Sequence, residues 1–111
     1  MPDFIHLNVV CRDKIAFVEL ARPDKANALN EVLWFELEQL ALWADAAPQI
    51  RVLVLSGAGK NFCAGIDFTL AGSLFSSISH LPQGQKQETL LARIKELQRA
   101  FSAFERCRKP V

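Results

Sequence analysis

Hydrophobic and polar positions alternate near the start of the chain with the period of a β-strand. Ile5, Leu7 and Val9 occupy every second position, as expected for a strand that buries one face. A polar turn follows at residues 12–14, and a second hydrophobic run extends over residues 15–20. Two such runs joined by a short polar turn predict a β-hairpin at the beginning of a sheet.

The next hydrophobic pattern has the period of an α-helix. Apolar residues recur here at steps of three or four: Leu33, Leu37, Leu40 and Ala44. This spacing places them along one side of a helix. Asn30 precedes the stripe and is a typical N-cap residue, and Pro48 marks the end because proline cannot continue a helix. The loop at residues 21–28 contains the turn-forming pair Pro23-Asp24.

Two further helical patterns occupy the second half of the chain. The shorter predicts a helix from its apolar positions Leu70, Leu74, Ile78 and Leu81. Residues 82–85, Pro-Gln-Gly-Gln, are expected to break it. The longer pattern predicts a second helix from Leu90, Ile94, Leu97, Phe101 and Phe104. We expect this longer helix to pack on the sheet or over a binding pocket.

Between these helical patterns lies the stretch around which the chain is organised, residues 51–70. Val52–Leu55 is an unbroken aliphatic run, which favours a strand buried on both faces, as in α/β proteins. The glycines of Ser56–Gly59 then favour a turn. A small-residue corner follows at Ala64-Gly65, and Asp67 is the expected N-cap of the next helix. The sequence therefore predicts a strand, a glycine turn, a corner and a helix.

The corner has a candidate chemistry, because the N–H groups at a helix start are unsatisfied and can hold a developing negative charge. Three other glycine-loop motifs do not fit. A dinucleotide fingerprint fails at Phe62, a phosphate loop fails because Asn61 follows Lys60, and Ser56 lacks the preceding glycine of a nucleophile elbow. From the residues alone, a tight strand-to-helix connection without chemistry remains an equal alternative.

Composition narrows the class of protein further. The chain has 111 residues, 50% of them hydrophobic, which suits one domain with a core. Its 13 basic and 12 acidic residues give no sign of nucleic acid or a membrane surface as partner. Cys11, Cys63 and Cys107 are scattered without metal-ligand spacing. The start of the chain lacks the pattern of a signal peptide. We expect no metal and a cytoplasmic or other reducing intracellular compartment.

Four residues that resemble catalytic groups have simpler interpretations. His6 lies in an alternating strand and is expected to face solvent. Asp67 is interpreted as a helix cap and Glu88 as a solvated surface residue. Cys63 has small neighbours and no histidine nearby in sequence, so it is expected to be a buried packing thiol.

Two blocks of sequence resemble the crotonase superfamily, the enoyl-CoA hydratases and isomerases. SGAGKNFCAGID at residues 56–67 resembles the family signature, and ELARPDKANALN at residues 19–30 resembles a second block at about the family's separation. The resemblance extends from about Ile5 to Val111. Gly65-Ile66-Asp67 and the long segment before residues 107–111 look most like the dienoyl-CoA isomerase branch.

The resemblance implies an α/β fold. Residues 1–111 would form the N-terminal half of a crotonase-like (ββα)n spiral, with a β-sheet core and flanking helices, and would end at the start of the next core strand. We therefore expect a larger protein, a homo-trimer or hexamer when complete, and no activity from these 111 residues alone. The alternative is a truncated non-catalytic fragment or an interaction module of the same fold.

The resemblance also implies a chemistry and a set of site residues. Enzymes of this family stabilise the enolate of an acyl-CoA thioester, here in the isomerisation of a dienoyl-CoA in fatty-acid β-oxidation. Coenzyme A enters as part of the substrate, and no covalent cofactor is expected. The backbone N–H of Ile66 would be one oxyanion donor, while the second donor and the acid–base carboxylates would follow Val111. The implied acyl-CoA-binding residues are Lys25, Ala26, Ala28, Ala64, Gly65, Ile66, Asp67 and Phe68.

Overall fold

The computed structural model describes residues 2–111. It contains three strands, three α-helices and one short 3-10 helix. In chain order these are β1 (Leu7–Arg12), β2 (Ile15–Leu20), the 3-10 helix (Pro23–Lys25), α1 (Glu31–Ala46), β3 (Val52–Gly57), α2 (Phe68–Ser76) and α3 (Gln83–Arg106). This mixed α/β architecture, with a sheet and flanking helices, is the predicted fold class.

The three strands form one sheet in the order β1-β2-β3. β1 and β2 are antiparallel, whereas β2 and β3 are parallel and are connected through α1. Asp13 and Lys14 between β1 and β2 both have positive φ, at 52° and 65°, which is the backbone of a tight hairpin turn. The predicted hairpin is therefore confirmed. Ile5, however, lies before β1 with an exposed side chain, and its N–H donates to the carboxylate of Glu36 instead of a strand partner.

The core lies between the sheet and α1. The predicted apolar stripe of α1 is confirmed, since Leu33, Leu37, Leu40 and Ala44 are all buried. On the sheet side, every second residue of β2 is buried, together with one residue of β3: Ala16, Val18, Leu20 and Leu53. Burial of a leucine side chain stabilises a fold by about 1.5–3 kcal/mol, so this one layer holds α1 on the sheet.

The other face of the sheet is exposed. Val10, Phe17 and Val54 lie in one row across the three strands, and Val10 and Val54 are 58% and 40% exposed. The prediction that β3 is buried on both faces is therefore wrong for the described residues, because α1 covers only the face that carries Leu53. Beside β3, the N–H of Leu53 donates to the carbonyl of Pro110 at 2.9 Å, so the segment after α3 lies along this strand.

The two later helices differ from the prediction in their boundaries. α2 ends at Ser76, and Ile78 and Leu81 lie in the turns that follow. Of the four residues expected to break the helix, 82–85, only Pro82 lies outside a helix. Its carbonyl accepts the first helical hydrogen bond of α3, from the N–H of Lys86 at 2.9 Å. Proline is compatible with a helix start because no N–H is needed there, so Gly84 and Gln85 are helical.

Of the two positions expected for α3, on the sheet or over a binding pocket, the first is wrong, because α3 packs mainly on α1. The indole N–H of Trp34 donates to the carbonyl of Leu97 at 2.7 Å, and the Trp34 and Phe101 rings meet edge to face at 5.6 Å. The predicted apolar positions of α3 are helical, but only Ala100 of this helix is fully buried. Within residues 2–111, no helix combines the length and the apolar composition that crossing a bilayer requires.

Candidate functional site

A cavity of about 750 Å³ lies between the loop that precedes α1 and the first turns of α2. Seven of the eight residues that the sequence predicted to bind acyl-CoA line it: Lys25, Ala26, Ala28, Ala64, Ile66, Asp67 and Phe68. The eighth, Gly65, is not part of the wall, and its carbonyl accepts a hydrogen bond from the N–H of Leu29 at 2.7 Å. Two stretches of chain about 40 residues apart in sequence thus form one site.

One buried side chain, Asn27, fixes the loop that carries Lys25, Ala26 and Ala28. Its side chain is 0% exposed. The carboxamide oxygen accepts from the N–H of Arg22 at 2.8 Å, and the carboxamide nitrogen donates to the carbonyls of Ala58 and Asn61 at 2.9 and 2.8 Å. These bonds hold the loop against the turn that follows β3.

Sequence reasoning missed Asn27, although a signal was available. Its backbone φ is 54°, next to Ala26 at 52°. Among non-glycine residues, asparagine is one of those that most readily adopt this left-handed conformation. An asparagine in the middle of a loop between a strand and a helix is therefore a candidate for a tight turn with its own side-chain hydrogen bonds.

The glycines of the turn after β3 have two separate roles. Gly59 has a φ of 79° and so supplies the positive dihedral that the prediction assigned to this turn. Gly57 supplies space instead, because a Cβ atom there would lie 2.6 Å from the carbonyl oxygens of both Asn61 and Phe62. The chain after the turn can fold back closely on β3 only because Gly57 has no side chain.

The corner at Ile66 is held by a single parallel β-bridge between Leu29 and Ile66. The N–H of Leu29 donates to Gly65, the N–H of Asp67 donates to Leu29 at 3.0 Å, and the N–H of Ala64 donates to Ala26 at 3.0 Å. Successive N–H groups of extended chain point to opposite sides, so the N–H of Ile66 points away from Leu29. No acceptor for it lies among residues 2–111.

Asp67 begins α2 as predicted, and it also has a partner that the sequence did not reveal. Its Oδ1 accepts from the N–H groups of Thr69 and Leu70 at 2.8 and 3.3 Å. Its Oδ2 faces the guanidinium of Arg22 at 3.4 Å, with the two side chains only 12% and 14% exposed. Arg22 also donates to the carbonyl of Ala28. The guanidinium thus links the loop before α1 to the start of α2.

The ionisation of Asp67 follows from these contacts. Partial burial opposes the charged form, but the hydrogen bonds from Leu70, Thr69 and Arg22 outweigh it, so the pKa of Asp67 lies below its ordinary value. Asp67 is therefore a carboxylate at neutral pH, with both oxygens occupied by donors.

The second carboxylate of the cavity wall, Glu31, is also paired. Arg93 from α3 donates to Glu31 at 2.6 Å and to Glu96 at 2.9 Å. The hydrogen bond to Glu96 raises the pKa of Arg93, as does the one to Glu31, against an opposing effect of burial. Both acidic side chains that line the cavity, Glu31 and Asp67, are thus held by arginines.

Three further residues, Glu88, Cys63 and His6, had predicted environments that the structure tests. Glu88 is exposed, as predicted. Cys63 is half-buried and packs against the core, and it is a free thiol like Cys11 and Cys107. The prediction that His6 simply faces solvent is wrong. His6 is half-buried, and its Nε2 lies 3.3 Å from Nδ2 of Asn30, the residue whose Oδ1 caps α1. The N-cap of α1 therefore approaches the segment that lies just before β1.

Comparisons with known proteins agree on one family. The family model described as enoyl-CoA hydratase/isomerase matches residues 11–105. The peroxisomal Delta(3,5)-Delta(2,4)-dienoyl-CoA isomerase of Arabidopsis thaliana is 41% identical over 91 residues, which cover 81% of this chain and 33% of that protein. The mitochondrial protein of the same name from Homo sapiens is 35% identical over 101 residues, which cover 87% of this chain and 30% of that protein.

Solved structures give the same answer for the fold. An enoyl-CoA hydratase/isomerase from Mycobacterium paratuberculosis superposes with a TM-score of 0.81 at 27% identity, over 99% of this chain and 41% of the other. An enoyl-CoA hydratase from Shewanella pealeana superposes with a TM-score of 0.79 at 29% identity, over 96% of this chain and 37% of the other. The chain spans about a third of the length of the curated relatives it matches.

Proposed function

The chain belongs to the enoyl-CoA hydratase/isomerase family, and from this we propose that it binds an acyl-CoA thioester in the cavity beside Ile66 and stabilises an enolate there. The observation that carries this proposal is the Ile66 N–H, which lacks an acceptor among residues 2–111 and belongs to a residue of the cavity wall. A thioester oxygen becomes negative when an α-proton leaves, and a fixed N–H donor stabilises that charge.

The surroundings of Ile66 suit this role. The residue lies directly before the N-cap of α2, and the first turn of a helix carries a partial positive charge from its aligned peptide dipoles. The hydrogen bonds on both sides of Ile66 fix its peptide plane before any ligand arrives. A single donor of this kind stabilises a transition state by about 3–4 kcal/mol in other enzymes.

We further propose that coenzyme A lies along the loop of Lys25, Ala26 and Ala28. Asn27 holds this loop rigid, so its backbone groups offer a preformed surface to a ligand. Lys25 is exposed at the end of the 3-10 helix and offers a positive charge to a phosphate. The thioester would then reach Ala64 and Ile66, with the acyl chain near the exposed ring of Phe68.

For the substrate we propose a dienoyl-CoA, with isomerisation in fatty-acid β-oxidation as the reaction. The support is that the two curated relatives compared above are dienoyl-CoA isomerases at 41% and 35% identity. The names of these relatives place them in peroxisomes and mitochondria. A reducing intracellular compartment for this chain accords with its three free thiols. We also retain the expectation of a homo-trimer or hexamer.

One observation favours a second candidate, acyl-CoA binding without turnover by this chain alone. Both carboxylates of the cavity wall are paired with arginines, Asp67 with Arg22 and Glu31 with Arg93. A carboxylate that acts as a general base must be free to take a proton and shielded from water. Asp67 has both oxygens occupied, and Glu31 is 71% exposed with one oxygen on Arg93. We therefore expect these 111 residues to supply binding and one oxyanion donor.

Two-dimensional amide NMR of the ¹⁵N-labelled chain tests the proposal. Acetoacetyl-CoA, a β-keto thioester, is added in one titration and free coenzyme A in the other. We expect both to move the amide resonances of Ala26 and Ala28, and only the thioester to move that of Ile66. The amide of Arg108, which donates to Asp45 outside the cavity wall, serves as the reference. An unmoved Ile66 resonance with saturating acetoacetyl-CoA would contradict the proposed function.

The same samples separate the two candidates by a turnover assay with a dienoyl-CoA. Binding with no turnover above a blank supports the second candidate. Turnover at a rate that depends on enzyme concentration shows instead that the chain carries its own base.

A further inference from the structure

Building on the function proposed above, we propose that Arg22 is a positioning residue whose guanidinium neutralises the Asp67 carboxylate beside the Ile66 N–H, so that negative charge can develop at this corner. The N-cap of α2 places a carboxylate one residue from the proposed oxyanion donor. Without a counter-charge, this carboxylate would oppose a nearby enolate.

The two oxygens of Asp67 have separate partners. Oδ1 is occupied by the first turn of α2, through the N–H groups of Thr69 and Leu70. Only Oδ2 meets Arg22, through both terminal nitrogens of the guanidinium at 3.4 Å. The cap of α2 therefore does not require Arg22. The contact with Arg22 instead neutralises the charge of Asp67, the capping residue.

The charge matters because the pair is shielded from water. The side chains of Arg22 and Asp67 are 12% and 14% exposed, and both line the cavity. Solvent screens interactions between charges less at such a site than at an open surface. An unpaired Asp67 would therefore repel a bound enolate, whereas the Arg22–Asp67 pair has no net charge.

Hydrogen bonds from both its backbone and its side chain hold Arg22 in place. Its N–H donates to Oδ1 of Asn27 at 2.8 Å, and its carbonyl accepts from the N–H groups of Lys25 and Asn27 at 3.0 and 2.9 Å. Its guanidinium donates to the carbonyl of Ala28. The positive charge of Arg22 is thus fixed relative to both the proposed coenzyme A loop and the corner at Ile66. Because its contacts are to the protein, Arg22 acts through Asp67.

Acetoacetyl-CoA allows a direct test, because its enolate absorbs in the near ultraviolet and its keto form does not. The enolate fraction of the bound ligand is measured against pH for the wild-type chain and for Arg22→Gln, Arg22→Lys, Asp67→Asn and the double variant Arg22→Gln/Asp67→Asn. Glutamine retains a donor for the Ala28 carbonyl but has no charge. Arg108→Gln is the matched control, since Arg108 pairs with Asp45 on the surface, outside the cavity wall.

We expect Arg22→Gln to raise the apparent pKa of the bound ligand by about one unit, which lowers the enolate-to-keto ratio about tenfold at a fixed pH. Arg22→Lys should retain most of the wild-type ratio, because it keeps the charge. The double variant should recover the ratio lost in Arg22→Gln, because it removes the uncompensated carboxylate as well. Arg108→Gln should have no effect. A purely structural role for Arg22 predicts no recovery in the double variant.

An unchanged enolate ratio in a folded, ligand-binding Arg22→Gln variant would overturn the role of Arg22 and leave the proposed function intact. A wild-type chain that does not bind acetoacetyl-CoA contradicts the proposed function instead. In that case, an NMR titration of the free chain tests whether Arg22 compensates the charge of Asp67. The pKa of Asp67 should rise in Arg22→Gln relative to wild type, and an unchanged pKa would show that Arg22 does not compensate this carboxylate.

Discussion

Ile66 pairs with Leu29 across a single parallel bridge, and this pairing leaves the N–H of Ile66 without a partner among residues 2–111. The bridge uses the N–H groups of Leu29 and Asp67, so the N–H of Ile66, unpaired in the described part of the chain, lies between two fixed neighbours. The sequence placed Ile66 in the corner. The bridge explains why its backbone, and not its side chain, is the chemically available part.

The first prediction concerns replacement of Ile66 in the protein that performs turnover. Ile66→Pro removes the N–H without breaking an intramolecular hydrogen bond, so the rate should fall about 10²–10³-fold from the lost oxyanion donor. Ile66→Val retains the N–H and should retain most of the activity. Steady-state kinetics measure both, with circular dichroism and coenzyme A binding as controls for folding. Near-normal turnover by a folded, binding-competent Ile66→Pro variant would refute the oxyanion role.

The second prediction concerns the hydrogen bonds of the buried Asn27 side chain. Asn27→Ala leaves the carbonyls of Ala58 and Asn61 without their donor and places alanine at a φ of 54°. The free energy of unfolding should fall by about 2–4 kcal/mol. Asn27→Gly loses the same hydrogen bonds, but glycine adopts this positive φ without strain. It should therefore be about 1 kcal/mol more stable than Asn27→Ala. Urea unfolding measures the difference. Equal stability of Asn27→Ala, Asn27→Gly and wild type would contradict a stabilising role for the Asn27 hydrogen bonds.

The third prediction compares two glycines. In Gly57→Ala the new Cβ would lie 2.6 Å from two backbone carbonyl oxygens, so the turn must shift at a cost of about 1–3 kcal/mol. Gly72 lies in the interior of α2, where a Cβ atom would meet no neighbouring residue within 4 Å. Gly72→Ala should therefore stabilise the chain by about 0.5–1 kcal/mol. Thermal unfolding of the two variants should move in opposite directions, and a stabilised Gly57→Ala would show that the turn has room.

The fourth prediction concerns the pH dependence of stability through Asp67. Its pKa is below the ordinary value in the folded state, because hydrogen bonds to the carboxylate outweigh the effect of burial. Its charge therefore stabilises the fold above the unfolded-state pKa of about 3.9, and this contribution is lost as the pH falls through the lower folded-state pKa. Asp67→Asn should be less stable than wild type at neutral pH, with a gap that narrows below about pH 4. A gap of constant size from neutral to acid pH would contradict the shift.

The sequence by itself determined the elements whose signals are local. Asn30 and Asp67 cap α1 and α2 through hydrogen bonds that span two or three residues, and the buried stripe of α1 follows from helical spacing alone. The two sequence blocks also identified the residues that meet at the cavity, because the family resemblance carries their joint position.

Only the tertiary structure decided what depends on residues far apart in the chain. Arg22 meets Asp67 across 45 positions, and Asn27 reaches Ala58 across 31. Neither pairing has a periodicity from which it could be predicted. For the same reason the burial of β3 was mispredicted, and the packing of α3 on α1 could not be foreseen. An apolar pattern states that a face can be covered, while the partner that covers it is set by the path of the whole chain.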